Sequence, residues 1–326
     1  MFNRQVPIIV ISLTLGLALG IGLTKIFSSS LQSSFSETRN PQKYQFINPL
    51  IECDPALSSS KGVLHSLEDA ISQKIDSLKS SGLVDFVAVY FRDLNNGPWF
   101  GINQDEFFSP ASLVKVPTAI TYLKHSESDP QILTKELSVT SLSEYQNQNF
   151  QPETKLELNQ TYSVEELLKR MIIYSDNVAY ELLEKSIDNQ EIVKTYSDLG
   201  IDISKGFSDP GGNIISVKDY ASFFRILYNA SYLNQTNSEK LLSLLSQSTF
   251  NQGLTAVTPK NIKSSHKYGE RKFDTSLKQL HDCGIVYHPQ KPYLICIMTR
   301  GQDFNKLSAT IRGIADLVYK QVSLNQ

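Results

Sequence analysis

The ordered part of this 326-residue chain opens and closes on the same kind of helix. Beyond Lys61, the residues Leu64, Leu67, Ile71, Ile75 and Leu78 recur at steps of three and four, and Gly82 marks a stop. Near the other end, Phe304, Leu307, Ile311, Ile314 and Val318 repeat the pattern. Each is one apolar face of a helix. Two such faces at opposite ends of a chain need one shared surface to cover. Strand-like stretches lie just inside them. "DFVAVYFRDLNNGPWFGINQ", with the turn signal Asn96-Gly97, predicts a hairpin over 86–94 and 99–103. "NIKSSHKYGE", "QLHDCGIVYH" and "PYLICIMTRG" predict three more strands. Between the two groups the chain is mostly helical, with helices expected over 112–124, 164–173, 178–187, 190–199, 217–230 and 238–247. Ser163 and Ser216 stand at N-cap positions. The fold class these patterns predict is α+β: a five-stranded, largely antiparallel sheet flanked by the N- and C-terminal helices, with an inserted all-helical subdomain. The α/β part takes 61–110 and 261–326, the helical part 111–260. A cleft is expected where the sheet edge meets the helical block.

The start of the chain is different. "PIIVISLTLGLALGIGLTKIF", residues 7–27, carries no charge before Lys25 and is long enough to cross a bilayer. A cleaved signal peptide is the alternative, but a small-x-small cleavage site is lacking. The expectation is a retained single-pass anchor over 1–27 and a Ser-rich tether over 28–60. Arg4 before the segment and Lys25 after it leave orientation weakly determined. A net charge of −2 gives no basic face for nucleic acid. The 3 cysteines form no C-x-x-C pair and the 5 histidines are scattered, so neither a metal site nor a cofactor is expected. Cys283 and Cys296 fall on neighbouring expected strands, where they form a disulfide or serve as small buried apolar side chains.

In "FSPASLVKVP", Lys115 follows Ser112 by three residues at the start of an apolar helix. At that spacing the two side chains share a face, so the amine reaches the hydroxyl. Burial and the helix N-terminus both disfavour an ammonium there, and a neutral lysine can take a serine proton. Pro117 leaves one helical carbonyl without its usual partner. Alone, such a pair also arises by chance on a surface helix. Two further elements accompany it. Ser175, Asp176 and Asn177 interrupt two helices, where a polar turn with Ser175 capping the next helix is the plainer reading. Lys267 and Gly269 lie on an expected strand, where an edge lysine is the plainer reading.

Together, in this order and on these elements, S-x-x-K, S-D-N and K-Y-G resemble the motif set of the penicillin-recognising serine hydrolases, in particular the class A β-lactamases. The resemblance runs from about Lys61 to Val322. It implies Ser112 as acylated nucleophile, Lys115 as its base, Ser175 as proton relay to the leaving nitrogen and Lys267 as a positive field. It also implies that Asn177 holds the substrate amide and that the N–H groups of Ser112 and Glu270 form an oxyanion hole. Tyr268, Gly269 and Glu270 would border the pocket for the substrate carboxylate. In that pocket Glu270 either repels an anionic substrate or turns to solvent and pairs with Arg271 or Lys272.

The chain also departs from that family. The glutamate expected after S-D-N is missing from a shortened segment. Asp209 is the one carboxylate near the matching place, and Asp209-Pro210-Gly211-Gly212 reads equally well as a turn. Tyr268 and Glu270 replace smaller residues of the third motif. The resulting expectation is a monomeric serine hydrolase, tethered through 7–27 to the cell membrane with its domain outside. It would act on β-lactams or cell-wall peptide-like amides with slow deacylation. A different amide or ester hydrolase on the same scaffold, or a catalytically weak binder of cell-wall material, are the alternatives.

Overall fold

A computed structural model describes residues 35–39, 44–55, 61–95, 97–203, 212–273 and 276–324. The expected anchor at 7–27 and Asp209 lie outside the described residues. Among the described residues, no helix is long and apolar enough to cross a membrane.

Helix α1 (Lys61–Ser80) leads into β1 (Phe86–Asp93) and β2 (Trp99–Ile102). The chain returns to the sheet as β3 (Ser264–Lys272), β4 (Lys278–Val286) and β5 (Tyr293–Gly301), and ends in α8 (Phe304–Leu324). The strands form one 5-stranded sheet in the order β2-β1-β5-β4-β3, every neighbouring pair antiparallel. Chain-distant β1 and β5 therefore pair at the centre, and β3 is an edge. Alternation assigns the faces. Val87, Val89, Phe91, Ile295 and Ile297 pack with Ile71, Ile75, Ile311 and Ile314 of the terminal helices. Ala88, Tyr90, Cys296 and Met298 face the helical insert. Strands covered on both faces read as nearly continuous apolar runs, and β5 ("YLICIMTRG") is one. Cys283 and Cys296 stand opposite each other in register and are joined by a disulfide.

The insert contains α2 (Lys115–His125), α3 (Val164–Ile173), α4 (Asn177–Ser186), α5 (Asn189–Asp198), α6 (Val217–Asn229) and α7 (Gln235–Leu245). Ser163 and Ser216 cap α3 and α6, accepting from the N–H of Glu166 at 3.2 Å and of Asp219 at 3.1 Å. The helix expected over 112–124 is corrected at its start: Ala111–Val114 is a 3-10 turn, and the α-helix begins at Lys115. Helix α7 begins at Gln235, three residues before the expected 238, because Asn234 caps it through the N–H of Asn237.

Structure also begins before Lys61. The N–H groups of Gln45, Phe46 and Ile47 converge on the Glu239 carboxylate of α7 at 2.8–3.1 Å. Phe46 and Ile47 are buried. Part of the expected tether is thus docked on the helical insert.

Candidate active site

Residues 109–115 are held from the sheet side. The Ser109 N–H donates to Gln279 Oε1 at 3.0 Å, and Arg271 Nη1 donates to Ser109 Oγ at 2.8 Å. His281 Nε2 donates to the Ser109 carbonyl at 3.0 Å, while Nδ1 accepts the Thr299 N–H at 3.3 Å. Burial lowers the His281 pKa to about 3, so the ring stays neutral in this bridging role. Ala111 next takes φ +49°, a left-handed conformation that costs a non-glycine residue roughly 1 kcal/mol or more. Edge strand β3 lies directly against this turn. A Cβ on Gly269 would sit 2.8 Å from the Pro110 carbonyl oxygen and 2.9 Å from Leu113 Cγ, so only glycine permits the approach.

Three residues apart across a 3-10 turn, side chains nearly eclipse. Lys115 Nζ and Ser112 Oγ are accordingly 2.8 Å apart. The amine also donates to the Ser175 carbonyl at 2.9 Å, and lies 3.3 Å from Ser175 Oγ and 2.5 Å from Asn177 Oδ1. Lys115 is 1% exposed. Burial brings its pKa down to about 7, against the raising influence of Asp176, Glu270 and Glu144. The carbonyl that Pro117 deprives of a helical donor belongs to Leu113, and the Tyr220 hydroxyl of α6 donates to it at 3.1 Å.

Ser175 is held at φ +55° between α3 and α4. The cap of α4 is Asp176, not Ser175: Oδ1 accepts the N–H groups of Val178 and Ala179 at 2.9 and 3.0 Å. Asp176 Oδ2 accepts the Tyr145 hydroxyl at 2.7 Å. Ser175 Oγ is left to accept from Lys267 Nζ at 2.8 Å. Lys267 is fully buried, and burial, then the neighbouring Lys115, hold its pKa well below the ordinary lysine value. Two ammonium groups near one serine oxygen in a dry site repel, which disfavours both carrying a proton at once.

The structure brings Ser112, Lys115, Ser175, Asn177 and Lys267 into one cluster, with Gly269 packed beside it. Tyr268 and Glu270 share one side of β3, but that side is roofed by the segment before α3. Tyr268, 4% exposed, stacks on Phe250 at 4.1 Å between centroids, and Phe150 meets both rings edge-on. Among the described residues Glu270 does not pair with Arg271 or Lys272; it borders a cavity beside Gln148 and Asn149. Its Oε1 accepts the N–H groups of Asn149 and Phe150 at 2.9 and 2.8 Å. The sequence did not point to Gln148, which donates through Nε2 to the Ser175 carbonyl at 2.9 Å. It lies on an aperiodic loop that offers no signal. Among the described residues, no group of three or more His, Cys, Asp or Glu could hold a metal ion.

A buried lysine against a serine at the start of a helix, with a second serine–lysine pair facing it, defines an acyl-transferring serine enzyme. The family described as the "Beta-lactamase enzyme family" matches residues 70–322, so the chain belongs to that family and is a serine hydrolase. A class A β-lactamase from Mycobacterium abscessus superposes with a TM-score of 0.67 at 21% identity, covering 78% of this chain and 99% of that one. A mutant of PBP-A, solved as an acyl-enzyme complex with penicillin G, gives 0.65 at 20% identity over 80% of this chain and 97% of its own. A β-lactamase from Xanthomonas campestris gives 0.65 at 20% identity, covering 78% and 98%. These likenesses concern the fold. No curated protein matches the chain.

Proposed function

We propose that this chain is a membrane-tethered serine hydrolase that works outside the cytoplasmic membrane and acylates Ser112 with cell-wall peptide-like amides or β-lactams. The observation that carries the reading is the 2.8 Å contact of Lys115 Nζ with Ser112 Oγ inside a buried cluster. Neutral Lys115 takes the hydroxyl proton as Oγ bonds to the carbonyl carbon. The oxyanion forms between the N–H groups of Ser112 and Glu270, which the Gly269 contact draws together. Such donors are worth about 3–4 kcal/mol each in a transition state. The proton then reaches the leaving nitrogen through Ser175, which touches both lysines.

The side of β3 where the resembling family receives a carboxylate holds the rings of Tyr268, Phe250 and Phe150. Neutral amides or esters therefore suit this site better than anionic β-lactams. Deacylation is slow in this reading, because the segment after α5 contains no glutamate. The outward placement rests on the apolar stretch at 7–27, which carries no charge before Lys25, and on where such substrates are found. Capture of a PBP-A mutant as an acyl-enzyme with penicillin G supports the covalent route.

Intact-mass measurement and peptide mapping after exposure to penicillin G, its methyl ester and a p-nitrophenyl ester test the proposal. The expected result is a persistent adduct on Ser112 with at least one reagent, absent in Ser112→Ala. No adduct with any of the three, or equal labelling of Ser112→Ala, contradicts it.

A further inference from the structure

Two buried acceptors near the nucleophile have no partner. Glu270 spends Oε1 on the N–H groups of Asn149 and Phe150, and its Oε2 is buried without a hydrogen bond. Gln148, 8% exposed, spends Nε2 on the carbonyls of Ser175 and Phe150, and its Oε1 is likewise buried and unpaired. Both residues line one cavity of about 560 Å³, together with Asn149 and Phe304. A buried acceptor left without a donor is costly, and a carboxylate more so. A polar cavity with room for water and two unpaired acceptors among its lining residues is a water site. A cationic group is the competing occupant, but Arg271 and Lys272 line the same cavity and repel it.

The cavity adjoins the serine–lysine cluster through Gln148. The carbonyl that Gln148 donates to also receives Lys115 Nζ. Glu270 follows the glycine that packs on Pro110 and Leu113, the residues flanking Ser112. Lys115 and Glu270 also influence each other's ionisation. A water that gives one proton to each acceptor is left with its lone pairs pointing away from both. That is the orientation of a nucleophile.

We propose that Glu270 and Gln148 hold the water that hydrolyses the Ser112 acyl-enzyme, with Glu270 Oε2 as its general base. The proposal rests on acylation of Ser112 and supplies the base missing from the shortened segment after α5. As the water oxygen bonds to the acyl carbon, one water proton passes to Oε2. When the bond from carbon to Ser112 Oγ breaks, Oγ is reprotonated through Lys115, which draws on that same proton. One proton leaves the water and one returns to serine. Burial raises the Glu270 pKa, which strengthens the carboxylate as a base, while the two N–H bonds to Oε1 weaken it. Hydrolysis is therefore present but slow.

Adduct lifetime on the full-length chain, followed by intact mass after a pulse of a p-nitrophenyl ester, tests this separately from acylation. Glutamine at 270 still offers an oxygen to Asn149 and Phe150 but no base. Adduct formation and adduct loss are timed separately, and Glu270→Gln should lengthen the adduct lifetime about 100-fold, as loss of a general base does. The wild-type rate of adduct loss should rise with pH through the ionisation of the carboxyl group, and the variant's should not. If Glu270→Gln does not fold, Gln148→Met removes one acceptor and should lengthen the lifetime about 10-fold. A Ser112 adduct that forms and decays at the wild-type rate in the variant overturns the role of Glu270 alone. No adduct in any form of the protein overturns the acyl-enzyme reading and this proposal with it.

Discussion

Lys115 has four oxygen atoms within hydrogen-bond reach, yet its pKa falls to about 7 because burial outweighs the three carboxylates that raise it. Holding a lysine pKa down from 10.5 to about 7 costs folding on the order of 5 kcal/mol at neutral pH and below. The sign follows from proton uptake. Between pH 7 and 10.5 the unfolded chain binds more protons at this site than the folded one, so stability rises with pH across that window. Lys115→Met should therefore lose acylation and raise the melting temperature at pH 7, and the gain should fade toward pH 10. A lower melting temperature at pH 7 would show that the lysine's hydrogen bonds outweigh its dehydration. Ser112, Lys115, Ser175 and Lys267 were legible in the sequence because their chemistry depends on spacing along regular elements. Asn177 was legible as a site residue, although its oxygen faces Lys115. Gln148 and the capping role of Asp176 were not legible, since both depend on where an aperiodic loop and a turn are pinned.

The sheet elements were read closely from sequence, and the reason is physical. Nearly continuous apolar runs mark β1 and β5, because two layers cover the sheet. The 3-10 turn at Ala111–Val114 was not legible, because its cause lies in β3 and β4, which grip Ser109 from distant parts of the chain. The alternation that places Tyr268 and Glu270 on one side of β3 was legible, but not the segment that covers that side. Phe150 contacts Phe250, Tyr268 and Phe304 from a loop without a pattern of its own. Phe150→Ala should uncover this side. Acylation by a penicillin should then speed up about 10-fold relative to its methyl ester, the scale of a small steric change in a pocket. Stability should fall by about 1–3 kcal/mol for a half-buried ring. Equal acceleration of acid and ester would show that the rings block bulk and do not discriminate charge.

On the scale of the whole molecule, two cores stand on opposite faces of one sheet, and the nucleophile sits at the sheet's edge, where the helical insert closes over it. Gly269 of β3 and Tyr220 of α6 both reach residues 110–113. Dehydration of Lys115 is thus a property of the assembled layers and not of the S-x-x-K segment alone. The docked stretch at 44–48 adds a third part to this assembly. It was read as linker because its burial depends on one distant carboxylate, Glu239, and not on composition. The central claim is that the closed fold keeps Lys115 neutral enough to activate Ser112, and the pH dependence of acylation tests it most directly. Methyl-esterified penicillin or a p-nitrophenyl ester carries no titrating carboxylate, so the pH profile reports the enzyme. The acylation rate of the full-length chain should rise with pH, reach half its plateau near pH 7 and be level well below the ordinary lysine value of 10.5. A rate that is flat across neutral pH, or that climbs only as pH approaches 10.5, would contradict the account.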